Sequence, residues 1–407
     1  TFFNSGTALL AGTINGKVDN TGVITVTAAL QGDNASAFLN EAGATLNVNA
    51  AYSKVNGFTN LGTVTVAAVG GLAVNTLSQQ GGQITNAGAI SATSVAILGG
   101  KVDNNSGGVI TAPVTNAATF NNNVGATLNG NLVNTGTTSN AGTINGLVAV
   151  NGGSLTTTGR ITGPITNRAT TTARGVTAGV ENLGAFTVSG ALDNSGQAFT
   201  NEAGGKVVFA SAGLTLSNVS TYTNNGVTTI GQYPANGQDT IAATSFVNNG
   251  SLVGTGTLAG AATNNGAIIV GSTAGAFANG YSIAVTGALT NNGSIYLGTL
   301  NPSGAGATNS LTAGSISGAG TVYTTADFGS DVLNTAARAN TVSANTINGG
   351  ALDITLVNTN TKKFFGTLTV AQFQNGSGFA DSAQTEAALA QASKGFYKYT
   401  YGATPGG

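Results

Sequence analysis

A short phrase recurs along most of this chain: an apolar residue, any residue, Asn, one or two residues, Gly, and then a few residues that alternate apolar and polar. Val18-Asp19-Asn20-Thr21-Gly22-Val23-Ile24-Thr25-Val26 is one copy, and Phe58-Thr59-Asn60-Leu61-Gly62-Thr63-Val64-Thr65-Val66 is another. The same pattern surrounds Asn182 and Asn291, and further copies centre on Asn4, Asn40, Asn86, Asn104, Asn121, Asn134, Asn167, Asn194, Asn224, Asn248 and Asn264. The copy at Asn167 is poor, because no Gly follows closely. The mean spacing is about 20 residues, but single intervals run from about 12 to about 33,. Propeller blades need a near-constant period of about 40 residues or more. Stacked coils tolerate variable lengths, since each coil touches only its neighbours and extra residues leave as loops.

One copy can be read physically. Thr63-Val64-Thr65-Val66 alternates with period two, which puts Val64 and Val66 on one side of a strand,. Asn and Gly both reach left-handed backbone conformations, Gly at no steric cost, so the chain is expected to turn a corner there. In a stack, equivalent Asn residues would lie about 4.8 Å apart. Their amides could then donate one way and accept the other, which satisfies polar groups that are costly to bury unpaired. The structural turn residues expected in this role are Asn20, Asn60, Asn182, Asn224, Asn248, Asn264 and Asn291. The fold class that follows is all-β, a parallel β-helix or β-solenoid with about 20 residues per coil. If most of the chain coiled this way it would make roughly 20 coils, a rod on the order of 95 Å long.

Composition supports the same picture. Charged residues are 6%, against about 25% in an ordinary soluble chain,. The apolar fraction is 41% and the formal net charge −1, the reverse of a disordered composition,. Most apolar side chains are small or β-branched, which suits a slim interior. Pro113, Pro164, Pro234 and Pro302 are expected in turns, since proline cannot donate to a central ladder,. The expected organisation is solenoid repeats over residues 1–360, then a C-terminal cap or linker over 361–407. That second segment contains a short helix near 381–393, with Asp381 as its cap and Ala383, Ala387, Ala388, Leu389, Ala390 and Ala392 within it,.

Chemistry is sparse. The chain has no Cys and no His, so thiolate catalysis, Ser-His-Asp arrangements and the usual zinc sites are excluded,. Acids total 13 and are scattered, with Asp19, Asp103 and Asp193 each beside a turn Asn. One coil apart, Asp19 with Glu41 or Asp193 with Glu202 could stack, as a glycoside-cleaving carboxylate pair requires,. Arg160, Arg168 and Arg174 form the densest Arg cluster, which could contact an anionic glycan or line a solvated loop. Gly-rich strings lack the Gly-Lys-Ser/Thr of a phosphate loop, and acids are too few for calcium sites,. No catalytic residue, cofactor or metal is expected. The near-zero charge gives no nucleic-acid footprint, and no run of 18 apolar residues spans a membrane as a helix,.

The Asn-x-Gly-Thr/Ala-Ile/Val-x-Val phrases, the low charge and the lack of Cys resemble the passenger domains of bacterial autotransporters and filamentous-haemagglutinin-like adhesins. The tail from Ala387 to Tyr401, with Gly395-Phe396-Tyr397-Lys398-Tyr399, looks like the segment that precedes the membrane barrel in such proteins. The resemblance implies a right-handed parallel β-helix, exported to the bacterial cell surface or secreted. It also implies a non-enzymatic structural or adhesive role. Partners would be host or neighbouring-cell surface molecules, glycans among them, or further copies of the chain. Lack of Cys would suit threading through an outer-membrane pore. No barrel repeats end this sequence, and it opens mid-repeat at Phe2-Phe3-Asn4-Ser5-Gly6, so a piece of a longer protein or an end-to-end stacking rod is expected,. A self-assembling extracellular filament and a carbohydrate-active β-helix enzyme are the alternatives.

Overall fold

The computed structural model describes residues 1–231, 238–271, 280–297, 309–327, 338–339, 341–357, 373–374 and 380–381. These residues form an all-β, parallel β-solenoid of about 14 turns, about 19 residues apart, with no helix. The chain divides into two compact units, Thr1–Thr187 and Val188–Gly407.

In many coils of the first unit three short strands follow one another, and each pairs in parallel with its equivalents in the coils before and after. One coil reads Lys101–Asn104, Val109–Thr111, Val114–Asn116. The next reads Thr119–Asn122, Thr127–Asn129, Leu132–Asn134, paired at a constant offset of 18 residues on all three faces. We call these the first, second and third faces, in chain order within a coil. Alternation decides what lies inside: Val64 and Val66 are both fully buried, while Thr63 is exposed and Thr65 half-buried. Pro113 and Pro164 sit between the second- and third-face strands of their coils, in turns as expected. Their carbonyls accept from Val95 N and Val148 N, so the missing N–H is not needed there,. Pro234 and Pro302 lie outside the described residues.

In the second unit the strands Thr215–Asn224, Asp239–Asn248, Gly256–Asn264 and Ser282–Asn291 stack in parallel. Each bends across what are two separate strands in many coils of the first unit. Beside them Val227–Ile230, Ser251–Gly254, Ala267–Val270 and Ser294–Tyr296 form a second parallel column. Ala351–Val357 is a strand, as its alternation predicts.

One expectation, a uniformly slim interior, needs correction, and two others are bounded by which residues the structure describes. The described residues make about 14 turns, where roughly 20 were expected if most of the chain coiled. Insertions account for part of this: the interval between equivalent residues is 15 from Asn167 to Asn182 but 27 from Asn264 to Asn291. The interior is not uniformly small. Phe38 stacks on Phe58 at 4.9 Å, and Phe199, Tyr222 and Phe246 stack in series at 5.0 and 5.2 Å. Parallel pairing in register puts like side chains one above another, so a ring once admitted is best matched by a ring in the next coil. The helix expected near 381–393 lies outside the described residues. Asp381 itself ends the two-residue strand Ala380–Asp381, paired with Leu352.

Candidate functional site

The seven expected turn residues, Asn20, Asn60, Asn182, Asn224, Asn248, Asn264 and Asn291, are all buried, the last at 3% exposure and the others at 0%. They are rungs of side-chain ladders at the corner between the third and first faces. In the first unit the Nδ2 of Asn4 donates to Asn20 Oδ1, Asn20 to Asn40, Asn40 to Asn60 and Asn60 to Gln79 Oε1, all at 2.7–2.8 Å. In the second unit Asn201, Asn224, Asn248, Asn264 and Asn291 repeat the series at 2.7–2.8 Å. The other Nδ2 hydrogen goes to a carbonyl in the next coil, as from Asn224 to Ser251 O and from Asn248 to Ala267 O. Asn20 Oδ1 also caps the N–H of Gly22, two residues on. The carbonyl of Asn224 takes both Asn249 N and Gly250 N. Each interior rung thus has its polar atoms satisfied without water.

Gly43, Gly107 and Gly196 are left-handed as expected, with φ 81°, 81° and 76°, but in other copies of the phrase glycine is present for a different reason. The ladder Asn residues and Gly22, Gly62, Gly184, Gly226, Gly250, Gly266 and Gly293 are not left-handed. A Cβ on Gly250 would collide with the carbonyl oxygen of Gly226, and one on Gly266 with that of Gly250. The corner is tight along the stacking direction, and only a missing side chain lets successive coils close to hydrogen-bonding distance. Asn167 is a full rung despite its poor phrase, since Ala169 N reaches its Oδ1 at 3.3 Å and its Nδ2 donates to Asn182 Oδ1 at 2.7 Å.

The phrases also mix two ladders. Asn86, Asn104, Asn122 and Asn140 run along the corner between the first and second faces at 2.7–2.9 Å, ending on Thr157 Oγ1. The buried rung there is Asn122; Asn121 points outward and donates to Asp103. Asn194 is buried and donates to Gln197 O in its own turn.

The acids do not assemble in the expected pairs. Register puts Asp19 opposite Phe3 and Leu39, and Asp193 opposite Ser217. Asp103 pairs with Lys101 at 2.9 Å and accepts from Gln83 and Asn121. Asp239, fully buried, accepts from Leu214 N and Gly231 N; burial pushes its carboxyl above the usual range while those N–H groups pull it down,. The Arg cluster is dispersed: Arg160 begins a second-face strand, Arg168 follows a third-face strand and donates to Asn151 Oδ1, and Arg174 lies beyond the first-face residues 170–173. Among the described residues no three acids converge as a metal site would require, and no helix is long and apolar enough to cross a membrane.

A groove of about 510 Å³ lies in the first unit at the corner between the second and third faces. Asn34, Lys54, Asn56, Asn75 and Thr93 line it together with the small side chains of Ala73 and Ala92. Asn75 Nδ2 donates to Asn56 Oδ1 at 3.1 Å, and Thr93 Oγ1 donates to Asn75 Oδ1 at 3.0 Å, one polar rung per coil. Asn34 and Lys54 are both left-handed, with φ 61°. The loop carrying Asn34 is held by Asp33, whose carboxylate accepts from Ala35 N, Ser36 N, Ser36 Oγ and Gly16 N. The Ala35 bond is the strongest of the effects that hold Asp33 down to about 2. None of the groove residues carries the Asn-x-Gly phrase. The signal that could have found them is the spacing of Asn56, Asn75 and Thr93, each about one coil from the next.

No family model matches the sequence, and no curated protein matches it.

Proposed function

We propose that this chain is a non-enzymatic structural or adhesive solenoid displayed on, or released from, the surface of a bacterial cell, of the autotransporter-passenger or filamentous-haemagglutinin-like kind. The observation that supports this most is the interior itself. Its polar groups are spent on each other: the buried ladder residues Asn201, Asn224, Asn248 and Asn264 each give their Nδ2 to the next coil. What the fold offers outward is a set of strand faces with few charges, suited to broad contact with another surface. Acids that do not pair across coils and dispersed arginines fit a scaffold better than a carbohydrate-cleaving enzyme.

Surface display is tested on intact cells of the source organism. External protease and an antibody to the purified chain should both reach it, without permeabilisation. A chain that is protected until the cells are lysed overturns the surface reading. Attachment is tested with cells lacking the gene, which should lose adherence that the purified chain competes for. Electron micrographs showing the purified chain as long fibres would instead support a filament subunit.

A further inference from the structure

We propose that the groove lined by Asn34, Lys54, Asn56, Asn75 and Thr93 binds an acidic saccharide, with the sugar chain running along the stacking direction and its acid group at Lys54. This deepens, and rests on, the adhesive reading above.

Three observations converge on this groove. The first is its polar wall. Asn56, Asn75 and Thr93 come from three successive coils and are joined by side-chain hydrogen bonds; Asn56 Nδ2 also reaches Ala35 O and Thr93 Oγ1 also reaches Asn75 O, which leaves one amide hydrogen on each Asn for a ligand. Each Asn amide has two donor hydrogens and two acceptor lone pairs. The spare ones point to a ligand that is donor and acceptor at regular intervals, as sugar hydroxyls are. One rung per coil recurs at about 4.8 Å, close to the rise of one sugar ring in an extended chain. The second is the small size of Ala73 and Ala92 in the lining, which leaves room for a ring.

The third is Lys54. Its left-handed backbone forms where the register slips between Tyr52 and Val55, a bulge of the sort that re-aims a side chain,. The strand Ala51–Asn60 has a counterpart in Thr215–Asn224, and there the left-handed place is held by Asn218. Asn suits that conformation, as Asn34 also shows; Lys does not,. A residue kept against its backbone preference implies a use for the side chain. Lys54 is exposed, and its ammonium has no ion-pair partner among the described residues. The carboxylate of Asp33 nearby is occupied by four donors of its own loop. A free ammonium at one end of a row of amides suits a carboxylate-bearing sugar better than a neutral one.

The test is calorimetric titration of the purified full chain with an oligogalacturonate, and with maltohexaose as the neutral probe. Binding of the acid oligomer, weakened by salt, and little or none of the neutral one is expected. Lys54→Gly removes the ammonium but suits φ 61°, so the fold should hold, and affinity for the acid oligomer should fall at least tenfold; Lys54→Arg should restore most of it. Asn75→Ala should weaken binding with no change in salt dependence. No binding of the acid oligomer, equal binding of the neutral one, or full binding by folded Lys54→Gly overturns the proposal. Because this readout needs only purified protein, its failure would leave the cell-surface experiment untouched, and failure of that experiment would leave the binding result standing.

Discussion

A buried asparagine is costly unless all of its hydrogen-bonding groups are met, and removing one partner strands the other. Asn248 accepts from Asn224 Nδ2 and donates to Asn264 Oδ1 and Ala267 O. Asn248→Ala should therefore lower stability by about 1–3 kcal/mol for each stranded group, read from urea midpoints. Its neighbour Asn249 is in an outer ladder with Asn225 and Asn265, exposed to water, and Asn249→Ala should change stability by no more than about 0.5 kcal/mol,. Equal losses from the two variants would refute the interior ladder. Gly250→Ala drives a Cβ into Gly226 O and should cost about 1–3 kcal/mol, as overpacking does,. Asp33 supplies a pH test. Its folded-state value of about 2 lies below the unfolded value of 3.8, so its contribution is present above about pH 4 and lost as pH falls towards 2,. Asp33→Asn should flatten the stability profile across that window, and an unchanged profile would exclude this role for the loop. The Asn-x-Gly phrase revealed the rungs at Asn20, Asn60 and Asn182. It picked Asn121 over Asn122 because two adjacent asparagines look alike until the pleat assigns one to the inside.

At the scale of the strand, register does most of the specifying. Phe199, Tyr222 and Phe246 lie in consecutive strands of the second unit, and parallel pairing brings each directly over the last. The Tyr222 hydroxyl is not stranded, because it bonds Thr228 Oγ1 at 2.8 Å, and Thr228 in turn donates to the ladder at Asn224. Burial still drives this phenol to ionise only at higher pH than usual,. Tyr222→Ala should cost about 3–5 kcal/mol, as large aromatic deletions in cores do. Tyr222→Phe, which keeps the stack, should cost about 1 kcal/mol. If Phe proved as damaging as Ala, the hydrogen bond and not the stack would carry the energy. Alternation within a strand was legible, as at Val64 and Val66. The stacking partner was not, since coils of different length separate the rings by different numbers of residues.

For the molecule as a whole, electrostatics contribute little. Charged residues are 6% of the chain, and Lys17–Asp19 and Lys101–Asp103 are within ion-pair distance. Exposed pairs of this kind are worth about 0–1 kcal/mol each. Raising sodium chloride from 10 mM to 1 M shortens the Debye length from about 30 to about 3 Å, yet should barely move the urea midpoint. A large shift in either direction would mean that charge interactions carry more of the fold than the two ion pairs suggest. Saccharide binding at Lys54 should weaken over the same range, which separates the behaviour of the groove from that of the scaffold.

Local periodicity alone determined that this chain makes short strands, that they stack as coils of about 19 residues and that asparagines line the corners, because these properties follow from alternation and from a recurring side chain with both donor and acceptor,. Only the tertiary structure decided which corner each asparagine serves, which glycines must lack a Cβ, which rings meet, and that Lys54, Asn56, Asn75 and Thr93 share one groove. Those outcomes depend on the register between coils of unequal length. A shift of one residue exchanges the inward and outward side chains, so contacts between coils cannot be read from any single repeat.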